Sequence, residues 1–102
     1  MIHVIATVEL KRGCRDAYLN ILRRNVPNVK AEGGCLVYEP TVDDETDIPI
    51  HEKAGDDVVT IVEAWESVDA LKDHFQAPHM LSYREKVKDL VSKVSIRVLQ
   101  PA

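Results

Sequence analysis

Cysteines, aromatic side chains and long apolar runs are all scarce in this chain of 102 residues. Its two cysteines, Cys14 and Cys35, are too few for a zinc site and too far apart for a CxxC redox pair. Two free thiols fit a reducing, cytosolic setting. No apolar run approaches the roughly 20 residues that a membrane span needs, and the first residues lack the pattern of a signal peptide. We therefore expect a cytoplasmic protein without a membrane span.

The charge balance argues against nucleic acid as a partner. The chain has 13 basic and 17 acidic residues, a formal net charge of −4, whereas phosphate binding needs a clustered basic face. The basic residues concentrate only at 11–15 and 23–24, where we expect the solvated surface of a helix. The length corresponds to a single domain, 1–102, with one core.

Hydrophobic periodicity predicts the first half of the fold. Side chains alternate from Ile2 to Leu10 with the period of a strand. Helical spacing follows from Asp16, with Pro27 expected to kink or restart the helix. Gly33-Gly34 is a typical helix end. A second strand is predicted at 35–42.

The second half repeats this plan after a long connection. The acidic segment 43–57 is longer than most loops of compact domains, which is typical of a lid, a dimer arm or a mobile loop. A strand is predicted at 58–66, and Ser67 is a good N-cap for a short helix. Helical spacing resumes after Pro78, and the last strand includes residues 94–98.

The resulting order, β-α-β-β-α-β, predicts an α+β, ferredoxin-like fold. Its four-stranded sheet carries helices on only one face, so the other face needs cover. Ile, Val and Leu side chains from four strands would form a larger exposed patch than monomers usually have. We therefore expect a face-to-face homodimer.

Four groups of residues match the pattern of a known family. They are Val26-Pro27-x-Val29 with Glu32-Gly33-Gly34-Cys35 and Tyr38; Val62-Glu63-x-Trp65-Glu66-Ser67; His74 with Pro78-His79-Met80 and Tyr83; and the ending Ile96-Arg97-Val98-Leu99-Gln100-Pro101. On these residues the chain resembles the antibiotic biosynthesis monooxygenase family of small dimeric α/β-barrel proteins, and it is most similar to the bacterial quinol monooxygenases. The resemblance implies oxidation of a quinol or similar aromatic polyol by O2, without flavin, haem or metal.

Two histidines are candidate bases, because a hydroquinone reacts with O2 once it is deprotonated and histidine titrates near neutral pH. His79 and Tyr83 are four residues apart and share a helix face, as a base with a phenolic partner or as hydrogen-bonding groups for the two quinol oxygens. His74 lies at the rim of an apolar helix stripe. Each histidine has a plainer interpretation as a capping or surface residue. With the resemblance, we expect His74 or His79 to be the base and Tyr83 to orient the substrate.

Four further residues are candidates for substrate binding. Trp65 shares a strand face with Glu63 and is either a core residue or a flat wall for a quinone ring. Tyr38 is a candidate hydroxyl donor. Glu63 and Arg97 are expected on neighbouring strands, as a structural ion pair or as a pair that tunes a pKa.

We expect no metal or other cofactor. The five-residue spacing of His74 and His79 does not place both rings on one helix face, and the chain has no glycine-rich phosphate loop. Two other functions stay open. One is an isomerase or degradation enzyme for a small sugar-derived signal, which would need basic residues such as Lys53, Arg84 and Arg97 around a phosphate. The other is a dimer that binds a hydrophobic metabolite without turnover.

Overall fold

Four strands and three helices form the chain, which a computed structural model describes from residue 1 to residue 102. They are β1 (Ile2–Leu10), α1 (Arg15–Lys30), β2 (Cys35–Thr41), β3 (Val58–Trp65), α2 (Val68–Gln76), α3 (Pro78–Val87) and β4 (Val91–Leu99). The predicted ferredoxin-like order is confirmed. Pro78 divides the second helical segment in two, because the residue before a proline avoids the helical conformation, and Ala77 is extended. No helix has the length and hydropathy to cross a membrane.

The strands form one open antiparallel sheet in the order β2-β3-β1-β4. Val4 at its centre lies opposite Glu63 of β3 on one side and Val98 of β4 on the other. The prediction that Glu63 and Arg97 lie on neighbouring strands is therefore wrong, because β1 separates β3 from β4. Arg97 pairs with Ile5, whose side chain points to the opposite face of the sheet from Glu63.

The core lies between the sheet and the helices. α1 places Tyr18, Leu22 and Val29 on its inner face at helical spacing, and all three are fully buried. They pack in one cluster with Val4 and Trp65. α1 continues as a single helix through Pro27, so of the two predicted alternatives, a kink or a restart, the restart is wrong.

The helices leave part of their own side of the sheet uncovered. Val94, Ile96 and Val98 of β4 face the same side as the buried alternate residues of β1, yet they are exposed. The opposite sheet face carries no helix, and Val62 of β3 and Leu99 of β4 are exposed there. The sheet is not closed into a barrel within one chain.

Candidate active site

A cavity of about 240 Å³ lies between the helices and the sheet. Its apolar wall includes Ala6, Val8, Ile61, Phe75 and Met80. The polar residues that line it are Tyr38, Glu63, His74, Tyr83 and Arg84. A mostly apolar cavity with a few converging polar groups is the usual form of a small-molecule site.

His74 reaches this cavity from α2. The hydroxyl of Ser67 accepts a hydrogen bond from the Ala70 backbone N–H at 3.1 Å and so fixes the start of that helix. Leu71 and His74, three residues apart, are the buried residues of α2. The prediction of Ser67 as N-cap is confirmed.

A carboxylate fixes the tautomer of His74. Nδ1 of His74 is 2.8 Å from Oε2 of Glu32, and a carboxylate only accepts, so Nδ1 carries the proton. Nε2 is then the basic nitrogen, and it has no hydrogen-bond partner within the protein. Burial lowers the pKa of His74, although the Glu32 hydrogen bond opposes this shift, so the ring is neutral at pH 7.

His79 shares the same carboxylate but faces another space. Its Nε2 is also 2.8 Å from Oε2 of Glu32, and it lines a smaller polar cleft between α1 and α3 that includes Arg24 and Lys86. It does not line the cavity. Exposure of the side chains rises from 3% for His74 through 13% for Glu32 to 25% for His79.

Glu32 was not among the candidates from the sequence. It follows α1 by two residues, in the turn before Gly33-Gly34, and its partners lie 42 and 47 residues further along the chain. The signal available was its place in the family pattern directly before the two glycines.

Glu63 is a second ionisable group in the cavity. The indole Nε1–H of Trp65 donates to its Oε1 at 2.9 Å. Burial raises the pKa of Glu63 to about 7; the Trp65 hydrogen bond lowers it, and the charge of Glu32 raises it further. Trp65 is fully buried and does not line the cavity. Its ring centroid lies 4.7 Å from that of His74, so it supports Glu63 and His74 and is not a wall.

Two of the three tyrosines of the chain line this cavity, and the third contacts one of them. Tyr38 of β2 lines it, packs against the His74 ring and has no hydrogen-bond partner for its hydroxyl within the protein. The hydroxyl of Tyr83 lies 2.5 Å from that of Tyr18, a fully buried residue of α1 that was not among the candidates. Burial raises the pKa of all three phenols, so they are protonated at neutral pH and available as donors.

The remaining candidates do not come together. Arg97 is exposed on the other face of the sheet. Of the three basic residues that an isomerase would use, only Arg84 lines the cavity, where its guanidinium also donates to the carbonyl of Phe75. No three His, Cys, Asp or Glu side chains converge as metal ligands do.

Comparison with known proteins covers nearly the whole chain. The family model described as "Antibiotic biosynthesis monooxygenase" matches residues 1–86. The protein named "Probable quinol monooxygenase YgiN" of Escherichia coli is 40% identical over 99% of this chain and 98% of its own length. The structure of PA3566 from Pseudomonas aeruginosa is 26% identical, with a TM-score of 0.80 over 99% of this chain and 93% of the other. That of Rv0793 from Mycobacterium tuberculosis is 26% identical, with a TM-score of 0.79 over 99% and 94%. These similarities confirm the resemblance and the ferredoxin-like fold.

Proposed function

Because this chain belongs to the antibiotic biosynthesis monooxygenase family, we propose that it oxidises a quinol, or a similar aromatic polyol, with O2 in the cavity between the helices and the sheet. The observation that carries the proposal is the hydrogen bond between the buried His74 and the partly buried Glu32, which leaves the other imidazole nitrogen of His74 without a protein partner at a mostly apolar cavity. The name of the E. coli relative supports the substrate class. No cofactor is part of the proposal.

The first step is removal of a hydroxyl proton. Nε2 of His74 takes this proton from the quinol, and Glu32 stabilises the imidazolium that forms, as the acidic member of a catalytic triad does for its histidine. The quinolate is a much stronger reductant than the quinol and transfers electrons to O2. The mostly apolar lining offers few hydrogen-bonding partners to water around these charged species.

The second hydroxyl needs its own acceptor. Glu63, with a pKa of about 7, is divided between its acid and base forms at neutral pH and accepts the second proton as electrons leave the ring. Tyr38 and Tyr83 donate hydrogen bonds to the substrate oxygens. The Tyr18 and Tyr83 hydroxyls share one hydrogen bond in which either can donate; when Tyr18 donates, the Tyr83 proton is free for the substrate.

The reaction can be balanced in two ways, which differ in the fate of O2. In an oxidase, two electrons and two protons pass to O2, and the products are quinone and hydrogen peroxide. In a monooxygenase, one oxygen atom enters the ring and the other leaves as water, and the product is a hydroxyquinone. Peroxide formed per O2 consumed separates these outcomes.

The test is oxygen uptake by the purified, metal-stripped protein with chemically reduced naphthoquinone. We expect uptake well above autoxidation that a chelator does not lower. A folded protein that consumes no oxygen with several quinols contradicts the proposal. Saturable quinone binding without uptake would instead identify a binding protein without turnover.

We also propose that two copies pair through the sheet face that carries no helix, which would make the barrel of the family. The exposed Val37, Val62 and Leu99 on that face support this arrangement. The cytoplasmic location expected from the free thiols stays a prediction.

A further inference from the structure

The cavity is small for a substituted substrate. Its volume of about 240 Å³ lies below the roughly 300–1,000 Å³ of sites that enclose drug-sized ligands. It suits a hydroquinone of one or two rings whose oxygens meet the polar groups at His74, Glu63 and Tyr38. A longer substituent on that ring has to leave the cavity.

One wall of the cavity continues outward as exposed apolar surface. Val94 and Ile96 of β4 line the cavity, and Val98 follows on the same strand face at the same spacing of two residues. The three side chains are 58%, 42% and 47% exposed, and at strand rise they extend over about 13 Å. We refer to Val94, Ile96 and Val98 as the β4 strip.

We propose that the β4 strip binds an alkyl tail on the substrate, so that the preferred substrates are hydroquinones with a long apolar substituent. This inference rests on the proposed function of the cavity. Two observations select the tail as occupant: the strip is continuous with the cavity wall, and the cavity is too small to enclose a tail. The strip itself carries no charged side chain.

A second copy of the chain is the competing occupant. The proposed homodimer uses the opposite sheet face, where Val62 and Leu99 lie, and does not require the strip. A tail also fits the shape of the strip, which is one strand wide. We therefore assign the strip to the substrate and let the experiment report on a partner chain.

The experiment compares 2-methyl-, 2-hexyl- and 2-decyl-1,4-naphthoquinone. Binding of the oxidised quinones is followed by quenching of Trp65, the single tryptophan, and turnover of the reduced forms by oxygen uptake. Burial of about half of each methylene on an open strip corresponds to about twofold in affinity per group. We expect the hexyl compound to bind at least about tenfold more tightly than the methyl compound.

Val98→Ser tests the β4 strip separately from the cavity, because Val98 does not line the cavity. We expect this variant to lower the ratio of decyl to methyl affinity several-fold. Leu81→Ser is the matched control, since Leu81 is similarly exposed, at 55%, on α3, and its ratio should equal that of the wild type. Sedimentation of each variant reports on the association state.

Three results would overturn the inference: equal affinity for methyl and decyl quinones, an unchanged ratio in Val98→Ser, or dissociation of the dimer by Val98→Ser. Failure of the proposed function looks different. In that case tail-dependent quenching persists while no quinol of the series supports oxygen uptake.

Discussion

One oxygen of Glu32 binds two imidazole rings, and only one of these rings reaches the cavity. The shared carboxylate has different consequences for the two histidines. For His74 the carboxylate fixes the proton on Nδ1 and leaves Nε2 without a protein partner, which is the nitrogen that the proposed mechanism uses as base. For His79 the carboxylate occupies Nε2, and the residue lines the polar cleft and not the cavity. The geometry therefore favours His74 over His79 as the candidate base.

The first prediction separates the two histidines. His74→Gln should lower kcat by about 10²–10⁴, the usual contribution of a general base. His79→Gln should lower it by less than about tenfold, since it removes only a partner of Glu32. Both variants are measured by oxygen uptake with reduced naphthoquinone. A larger loss in His79→Gln would reverse the assignment of the base.

The second prediction concerns Glu63 and pH. Its pKa is raised from 4.5 to about 7 in the folded chain, so between these values the folded state holds a proton that the unfolded state releases. Its contribution to the free energy of unfolding therefore falls by about 3 kcal/mol as pH rises through that window. Glu63→Gln keeps an acceptor for Trp65 and removes this dependence.

Urea unfolding of wild type and Glu63→Gln at pH 5 and pH 8, at one protein concentration, measures the effect. At each pH, the free energy of unfolding of the wild type is subtracted from that of Glu63→Gln. This difference should be larger at pH 8 than at pH 5. An equal difference at both pH values would mean that Glu63 is not desolvated in solution.

The residues that sequence analysis found and missed differ in a physical way. Tyr38, His74 and Tyr83 stand inside the family pattern, and each proves to line the cavity. Tyr18 contacts Tyr83 from 65 residues away. Helical and strand spacing relates residues within one element, so it carries no signal for a contact between two helices. Only the packed fold brings Tyr18 to the site.

At the scale of elements, α2 packs closely against the turn before β2, at Gly34. Gly34 has a φ of +87°, and a Cβ there would lie 2.6 Å from the Cβ of Ala70 on α2. The same turn carries Glu32, and α2 carries His74. The missing side chain of Gly34 therefore permits the close packing of the two elements that carry the carboxylate and the imidazole.

The third prediction compares the two neighbouring glycines. Gly34→Ala should lower the free energy of unfolding by about 2–3 kcal/mol, because it adds backbone strain at positive φ and a clash with α2. Gly33 has neither constraint, so Gly33→Ala should stay within about 1 kcal/mol of wild type. Urea unfolding followed by Trp65 fluorescence measures both. Equal effects would contradict this account of the turn.

Element bounds were largely predictable, but strand order was less so. Alternation located the start of β1 at Ile2, and helical spacing located the start of α1 to within one residue. The same alternation says which face a side chain takes and not which strand lies beside it. Glu63 and Arg97 were wrongly predicted on neighbouring strands because alternation does not give strand order. The crossovers of the fold insert β1 between β3 and β4.

For the whole molecule, the sheet has two incompletely covered surfaces with different surroundings. The β4 strip joins the cavity, whereas the helix-free face carries apolar residues from several strands and no cavity. Sequence alternation predicted that face, because one layer of helices covers one side of a sheet. The alternation of side chains carries no information on what covers the other side of the sheet.

The fourth prediction tests pairing through the helix-free face. Val62 lies on β3 with its side chain on that face, so Val62→Asp would bury an unpaired carboxylate between two copies. A buried unpaired charge costs several kcal/mol, and we expect the variant to sediment as a monomer where the wild type sediments as a dimer. Leu81→Asp on the exposed side of α3 is the control and should remain dimeric. A dimeric Val62→Asp, or a monomeric wild type, would exclude this face as the interface, and the barrel with it.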